Sequence, residues 1–174
     1  MAKITKSIFL IVLFGLISCN FLGAGSYPYS ENYLYKFPCD TLIQRIKQFE
    51  AIHPKYKVYE KNEKGDYIEM DHYSESRIGK SNKSYKDYNK NVDSFSIYFY
   101  LEEIKGTILC SINLGEESRK SKVSILNLVA ITYSKNFASW KTINTDDLSK
   151  KQNKEIKELF ENKIANKLGN WIKR

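Results

Sequence analysis

Two stretches of the chain alternate between apolar and polar residues, which is the pattern of a β-strand with one covered face. Large apolar residues occupy every second position in residues 94–101, and residues 108–114 repeat the pattern after a short turn. The pair predicts an antiparallel β-hairpin. Residues 123–133 predict a third strand, apolar on both sides at its centre and therefore more deeply buried. Weaker strand patterns occupy residues 33–37, 56–60 and 66–73.

Apolar residues at helical spacing predict two helices. The first begins near Asp40, whose side chain we expect to cap the free N–H groups of the first turn, and it ends before Pro54. Its apolar residues are Leu42, Ile43, Ile46, Phe49 and Ile52. The second begins at Ser149, which has capping-box spacing with Gln152. Its apolar stripe comprises Ile156, Leu159, Phe160, Ile164, Leu168, Trp171 and Ile172.

These elements predict an α+β fold, in which an antiparallel sheet of about five strands has two helices packed on one face. Residues 74–91 are almost entirely polar and predict a long, mobile surface loop. Residues 115–120 predict a turn and residues 134–147 an irregular segment. The chain shows no internal repeat, and its length suits one domain.

The amino terminus has the pattern of a secretory signal. Lys3 and Lys6 precede an apolar run over residues 8–17, with no acidic residue among them. Ten apolar residues span about 15 Å as a helix, whereas a bilayer core is about 30 Å thick. The run therefore predicts a cleaved signal rather than a permanent transmembrane helix.

The run ends in Leu16-Ile17-Ser18-Cys19, which resembles the lipobox of bacterial lipoproteins, with a bulkier residue than usual at Ile17. The resemblance implies cleavage before Cys19, diacylglycerol on its thiol and a further acyl chain on its amine. The chain then divides into a signal peptide (1–18), a lipidated tether (19–32) and a single globular domain (33–174). The alternative is an ordinary secretory signal cut near residues 23–25.

Lipidation would place the protein in the cell envelope, held to the membrane through acylated Cys19. Asn20 stands where Asp is the usual inner-membrane retention signal in some Gram-negative bacteria, which favours the periplasmic face of the outer membrane. The formal charge is +8, and it falls to +6 when Lys3 and Lys6 are removed. Such a mild positive balance is too diffuse to specify a partner.

Two cysteines remain in the mature chain, Cys39 and Cys110. Export would place them in an oxidising compartment. A disulfide between them would close a loop of about 70 residues, which the chain-entropy model values at about 4 kcal/mol. Two buried free thiols are the alternative.

Candidate catalytic chemistry is sparse. His53 and His72 are the only histidines, so sites of the Ser-His-Asp or Cys-His kind have few ways to form. Adjacent acids such as Glu102 and Glu103 lie in turns, whereas glycosidase-type chemistry needs two carboxyls facing one bond across a cleft. We predict no enzymatic activity, no metal site and no cofactor.

Two surfaces are candidates for contact with a partner. The polar segment 74–91 interleaves cations with aromatic rings in the manner of a nucleic-acid groove, but export excludes nucleic acid as the partner. An anionic surface remains for these residues: Lys80, Lys83, Tyr85, Lys86, Tyr88 and Lys90. The second candidate is the sheet face away from the core, where Tyr98 and Tyr100 alternate outward.

The expected function is a membrane-anchored, non-catalytic protein-binding module of the cell envelope. An accessory subunit of a secretion or assembly machine and a periplasmic immunity or inhibitor protein both fit this description. The alternative is a carrier or sensor lipoprotein that holds a small ligand between the sheet and the long helix.

Overall fold

A computed structural model describes residues 28–61, 67–69, 73–75, 83–84, 94–135 and 137–173. It confirms the α+β class, since one large antiparallel sheet carries helices on one face. None of the helices in the described ranges is both long enough and apolar enough to cross a membrane.

The sheet contains eight strands in the described part of the chain, rather than about five, because it recruits several strands of only two or three residues. Its order is β10-β1-β8-β7-β6-β4-β5, and β9 also pairs with β8. A separate hairpin joins β2 and β3. The strands are β1 Glu31–Tyr35, β2 Tyr59–Lys61, β3 Tyr67–Glu69, β4 Tyr73–Glu75, β5 Lys83–Ser84, β6 Ser94–Leu101, β7 Gly106–Asn113, β8 Ser124–Thr132, β9 Trp140–Thr142 and β10 Trp171–Lys173.

The helices begin where local capping chemistry allows. The predicted capping box is confirmed: the Gln152 N–H donates to Ser149 Oγ at 3.2 Å, and the Ser149 N–H donates to Gln152 Oε1 at 3.0 Å. The prediction that Asp40 caps the first helix is wrong. Pro38 holds the cap position without a side-chain bond, and Asp40 lies in the first turn, where its charge suits the helix dipole. The helices are α1 Cys39–Ile52, α2 Glu116–Lys120 and α3 Lys150–Phe160, the last continued by a π-helical turn Glu161–Ala165 and a final turn Asn166–Leu168.

The core lies between the sheet and both long helices. The Phe160 ring of α3 lies 5.2 Å from the Tyr33 ring of β1 and 6.3 Å from the Phe99 ring of β6. The Phe49 ring of α1 meets the same Phe99 ring edge-on at 6.2 Å. Both helices therefore pack on one face of the sheet, as predicted.

The carboxy-terminal helix ends earlier than its apolar stripe predicted. Gly169 takes a φ of +144°, which only glycine adopts without strain, and the helix stops at Leu168. The Arg45 guanidinium donates to the free Leu168 carbonyl at 2.8 Å. Trp171 and Ile172, predicted as helical, instead belong to β10, which pairs with β1 at the sheet edge.

Two strand boundaries differ from the predicted ones. The segment 56–60 opens with a 3-10 turn over Pro54–Tyr56, so its strand is displaced to Tyr59–Lys61. The single strand predicted over 66–73 is divided, because Tyr67–Glu69 pairs with β2 while Tyr73–Glu75 joins the large sheet.

Four segments that were predicted to lack helices and strands contain short helices or strands in the structure. The loop 74–91 holds the end of β4 and all of β5, the turn 115–120 holds α2, and the irregular segment 134–147 holds β9. The predicted tether 19–32 also overlaps β1, which begins at Glu31 and ends at Tyr35, short of residue 37. These pieces are too short to show a periodicity of their own, and each added strand is defined by its pairing with another strand.

Candidate functional surface: the open face of the sheet

Side chains that point away from the helices form a second face of the sheet, here called the open face. Strand registers place them together across β1, β6, β7, β8, β9 and β10. They are Asn32, Leu34, Ser94, Ser96, Tyr98, Tyr100, Thr107, Leu109, Ser111, Asn113, Ile125, Asn127, Ala130, Thr132, Trp140, Thr142 and Ile172. None of these residues of the six strands carries a charge. The sheet continues beyond β6 onto β4, where Glu75 is in register with Ser94 and Tyr73 with Ser96.

One end of the open face is lined by large rings. The Tyr98 ring lies 6.1 Å from the Trp140 ring, and the Phe137 ring stacks with the Trp140 ring at 6.4 Å. Tyr98, Tyr100 and Trp140 are each half-buried. The two long helices of the described ranges pack on the opposite face of the sheet.

The opposite end of the open face is low. Ser96 and Ser111 face each other across β6 and β7, and both are buried among their neighbours. The Asn127 side-chain amide donates to the Ser111 carbonyl at 3.1 Å, so part of its hydrogen-bonding capacity is used within the sheet. Larger apolar residues, Leu34, Ile125 and Ile172, lie at the β1 and β10 side of this end, and Glu75 of β4 is in register with Ser94 at its other side.

The structure places Tyr98 and Tyr100 on the open face, where the sequence pattern put them. It adds Leu109 and Trp140, which sequence reasoning missed. Leu109 holds an outward position in the 108–114 alternation, so that pattern was sufficient to find it. Trp140 gave no such signal, because its strand has only three residues.

Most residues of the predicted basic segment lie outside the described residues, as does Cys19. Those of the segment are Lys80, Tyr85, Lys86, Tyr88 and Lys90. Lys83 belongs to β5, where it pairs with Ser74 of β4. Contact of this segment with an anionic surface stays a prediction.

Cys39 and Cys110 are both free and buried in the structure, which is the second of the two alternatives that the sequence left open. Cys39 opens α1, and its thiol lies 3.6 Å from the Ser118 carbonyl and 3.7 Å from the Asn113 carbonyl. Burial, reinforced by the Asp40 charge, raises the pKa of the Cys39 thiol to about 11. Burial also raises the pKa of the Cys110 thiol far above its ordinary value. Neither is therefore a thiolate nucleophile at neutral pH.

We expect both thiols to resist a soluble alkylating reagent at pH 8 until the protein is unfolded. Only the thiolate reacts, and both sulfurs are buried and protonated. Peptide mapping after alkylation with and without urea, in the absence of reductant, measures this. Labelling of Cys39 and Cys110 only in urea is the expected result. If both stay unlabelled in urea until reductant is added, they form a disulfide and the free-thiol assignment is wrong.

A cluster of charges joins both chain ends of the domain to α3. The Glu31 side chain is only 10% exposed and accepts bonds from Lys173 at 2.8 Å and Lys157 at 3.1 Å. The Asn144 amide adds a third bond at 3.2 Å, and Lys173 also reaches Glu161 at 3.3 Å. Burial acts to raise the pKa of Glu31, but the bonds from Lys173, Asn144 and Lys157 outweigh it, so the pKa is lowered.

The cavity beside this cluster has a volume of about 590 Å³. It is lined by both signs of charge, including Lys157, Lys173 and Glu161, and these groups already pair with each other or with Glu31. The cluster therefore acts as a structural link between β1, β10 and α3 rather than as a site for a charged ligand.

Metal and acid–base chemistry find little support in the described residues. They contain no group of three or more His, Cys, Asp or Glu side chains able to hold a metal ion. His53 ends α1, as predicted, and its ring packs 4.9 Å from the Phe49 ring. His72 lies outside the described ranges.

Comparison of the chain with protein-family models, with curated proteins and with solved structures gives no match.

Proposed function

We propose that this chain is a lipid-anchored protein of the bacterial cell envelope whose domain is a non-catalytic protein-binding module. The observation that carries the proposal is the open face, whose residues on β1 and on β6 to β10 are uncharged and which has Tyr98, Tyr100 and Trp140 at one end. Centres of protein interfaces are depleted of charge and enriched in tyrosine and tryptophan. A sheet face that only meets water is normally polar.

The anchor restricts where this module works. Glu31, the first residue of the sheet, lies twelve positions after Cys19 in the chain. Even fully extended, they reach about 40 Å. Lipidation of Cys19 would therefore keep the open face close to a membrane. We propose that the protein is anchored on the periplasmic face of the outer membrane. The partner is then an envelope protein, as in a secretion machine or a toxin–immunity pair.

The interior of the domain favours this function over a ligand carrier. Side chains of α1, α3 and the sheet form one continuous cluster, whose members from Tyr33 to Leu168 are almost all fully buried. The carrier hypothesis needs an enclosed apolar space between these layers. The buried cluster occupies that position in the described part of the molecule.

Lipidation is tested by the intact mass of the protein in the membrane fraction. We expect the mass of residues 19–174 plus two or three acyl chains, because these chains together hold a protein firmly while one binds only marginally. The variant Cys19→Ser removes the acylated thiol and should lose both the added mass and the cleavage. A wild-type chain recovered soluble and without acyl groups would refute the anchor.

Protein binding is tested with a photo-crosslinking amino acid at position 98 of the full chain in living cells. Lys154, an exposed residue of α3 on the helical side, provides the matched control position. We expect crosslinked protein bands from position 98 that are missing from position 154. The absence of any such band would count against a protein-binding open face.

A further inference from the structure

We infer that one end of the sheet, the end at which the tether enters the domain, lies in the headgroup interface of the membrane that holds the anchor. This end is called the proximal end and is defined by the aromatic residues Tyr29, Tyr133, Phe137 and Trp140. The inference rests on the proposed lipid anchor and deepens it, because it sets the strands upright on the membrane. The occupant of the proximal end is a lipid surface, so the rest of the open face remains available to a protein partner.

The strand registers place the tether and these rings at the same end of the sheet. Glu31 of β1 and Trp140 of β9 both pair with β8. Their partners are Leu128 and Thr132, which are about 13 Å apart at 3.3 Å per residue. Because the tether runs into β1 at Glu31, it enters the domain beside β9 and beside the connection between β8 and β9.

Aromatic surface surrounds this point of entry. The Tyr29 carbonyl accepts a bond from the Asn144 side chain, just after β9, at 3.0 Å, and the Tyr29 residue is 56% exposed. Tyr133 directly follows β8 and is 43% exposed. Phe137 and Trp140 are half-buried, and their ring centroids are 6.4 Å apart. Tyrosine and tryptophan concentrate at membrane interfaces, where the ring meets apolar chains while its polar atom meets headgroups and water.

The connections at the two ends of the sheet differ. The connection between β7 and β8, at the opposite end, forms α2, whose first turn exposes Glu116 and Glu117. The connection between β8 and β9, at the proximal end, carries Tyr133 and Phe137 and has Lys135 as its single charge. A tether of at most about 40 Å leaves many orientations open. Burial of exposed apolar rings favours the orientation that turns the proximal end to the lipid.

Charged side chains near the proximal end limit how deeply it can enter. They include Glu102, Glu103, Lys105, Lys141, Asp146 and Asp147. Charge is costly in the hydrocarbon core but is accommodated among headgroups and water. Interfacial amphipathic helices bury their apolar face by about 5–10 Å, and we expect a similar depth here. The contact is therefore shallow, with the rings at the boundary of the acyl chains and the charges outside it.

Quenching of tryptophan fluorescence by brominated lipid tests the inference, because the two tryptophans of the chain lie at different heights. Trp171 pairs with Tyr35, the last residue of β1. Through β1 it is aligned with Ser124, which is about 26 Å from Thr132 along β8 at 3.3 Å per residue. Trp171→Phe leaves Trp140 as the only tryptophan, and Trp140→Phe leaves Trp171. The two variants are therefore matched controls for each other.

The full mature chain with its acyl groups is reconstituted into vesicles of phosphatidylcholine and phosphatidylglycerol. In half of the samples the phosphatidylcholine is brominated on the acyl carbons nearest the glycerol. We expect bromine to lower the Trp140 fluorescence to about half, because the ring lies at the depth of these carbons. The Trp171 fluorescence should not change. An unquenched Trp140, or equal quenching of both tryptophans, would overturn the inference.

Phe137→Asp tests the contact itself, since a carboxylate resists entry into the acyl chains. In the Trp171→Phe background it should remove at least half of the quenching of Trp140. Quenching is a ratio between the two kinds of vesicle, so a direct effect of the substitution on Trp140 cancels. Val123→Asp is the matched control, because it introduces the same charge at a 37% exposed residue just before β8, at the opposite end. Quenching that survives Phe137→Asp, or that Val123→Asp also removes, would contradict the contact.

The intact mass of the same preparation separates failure of the inference from failure of the proposed anchor. An acylated chain whose Trp140 is not quenched overturns the inference and leaves the anchor standing. A chain without acyl groups that does not stay with the vesicles overturns both. Quenching of Trp140 together with protein crosslinks from position 98 supports the inference and the binding function. Crosslinks from position 98 to lipid alone would mean that the membrane also covers the open face, which overturns the upright orientation.

Discussion

Phe160→Ala is expected to lower the free energy of unfolding by about 3–5 kcal/mol, the range for truncating a fully buried phenylalanine. The Phe160 side chain is 0% exposed and contacts Tyr33 of β1 and Phe99 of β6. Truncation leaves a cavity between the carboxy-terminal helix and two strands at once. A domain of this kind has about 5–15 kcal/mol of stability in total, so the variant should be close to unfolding at 37 °C.

Urea unfolding followed by far-UV circular dichroism measures the effect as a lower midpoint with an unchanged slope. Phe160→Leu is the matched control, because it keeps most of the buried volume and should cost less than about 1.5 kcal/mol. If Phe160→Ala lost less than 1 kcal/mol, the helix would not be packed on the sheet as described.

Glu31→Gln is expected to lower the free energy of unfolding by about 1–3 kcal/mol, the range for a lost hydrogen bond to a charged group. The change keeps the shape of the side chain but removes the charge that pairs with Lys157 and Lys173. Loss of the pair with Lys157 should contribute more to this cost than loss of the pair with Lys173. The Lys157 side chain is only 22% exposed, whereas that of Lys173 is 52% exposed. Glu158→Gln is the matched control: its partner Lys154 lies 3.7 Å away on an exposed surface, so we expect less than about 0.5 kcal/mol.

The pH dependence of the free energy of unfolding gives a second measure of how much the Glu31 charge stabilises the fold. Its pKa is lowered in the folded protein, so its contribution is present above the ordinary glutamate pKa. The contribution is lost as the pH falls through the lowered value. Wild type and Glu31→Gln should therefore differ most at neutral pH and converge in acid. A difference that stays constant from pH 7 to pH 3 would show that the charge of Glu31 does not stabilise the fold.

The elements that sequence reasoning predicted well are those whose signal is local. The hairpin of β6 and β7 followed from alternation over eight residues, because each side chain of a half-covered strand reports directly which face it occupies. The capping box at Ser149 involves residues three positions apart. The outward position of Tyr98 and Tyr100 came from the same alternation.

The elements that were missed depend on pairing partners that lie outside their own segments. Trp171 and Ile172 continue a helical stripe, yet Gly169 ends the helix and the backbone of β1 offers them bonds more than 130 residues away in the chain. Trp140 joins the open face only because β8 extends beyond β1 and leaves an edge to pair with. The residue pattern within each segment does not predict the strand with which it pairs.

The sequence by itself determined the α+β class, the hairpin, the two helices and the outward tyrosines. Burial and capping restrict the residue types at positions close together in the chain, so these features can be predicted locally. It also supplied the expectation of a lipid anchor at Cys19. Only the tertiary structure decided the strand order, the fate of the carboxy terminus and the pairing of Glu31 with Lys157, 126 residues apart. It alone brought Leu34, Leu109 and Trp140 onto one face, because that requires strands from both halves of the chain to lie side by side.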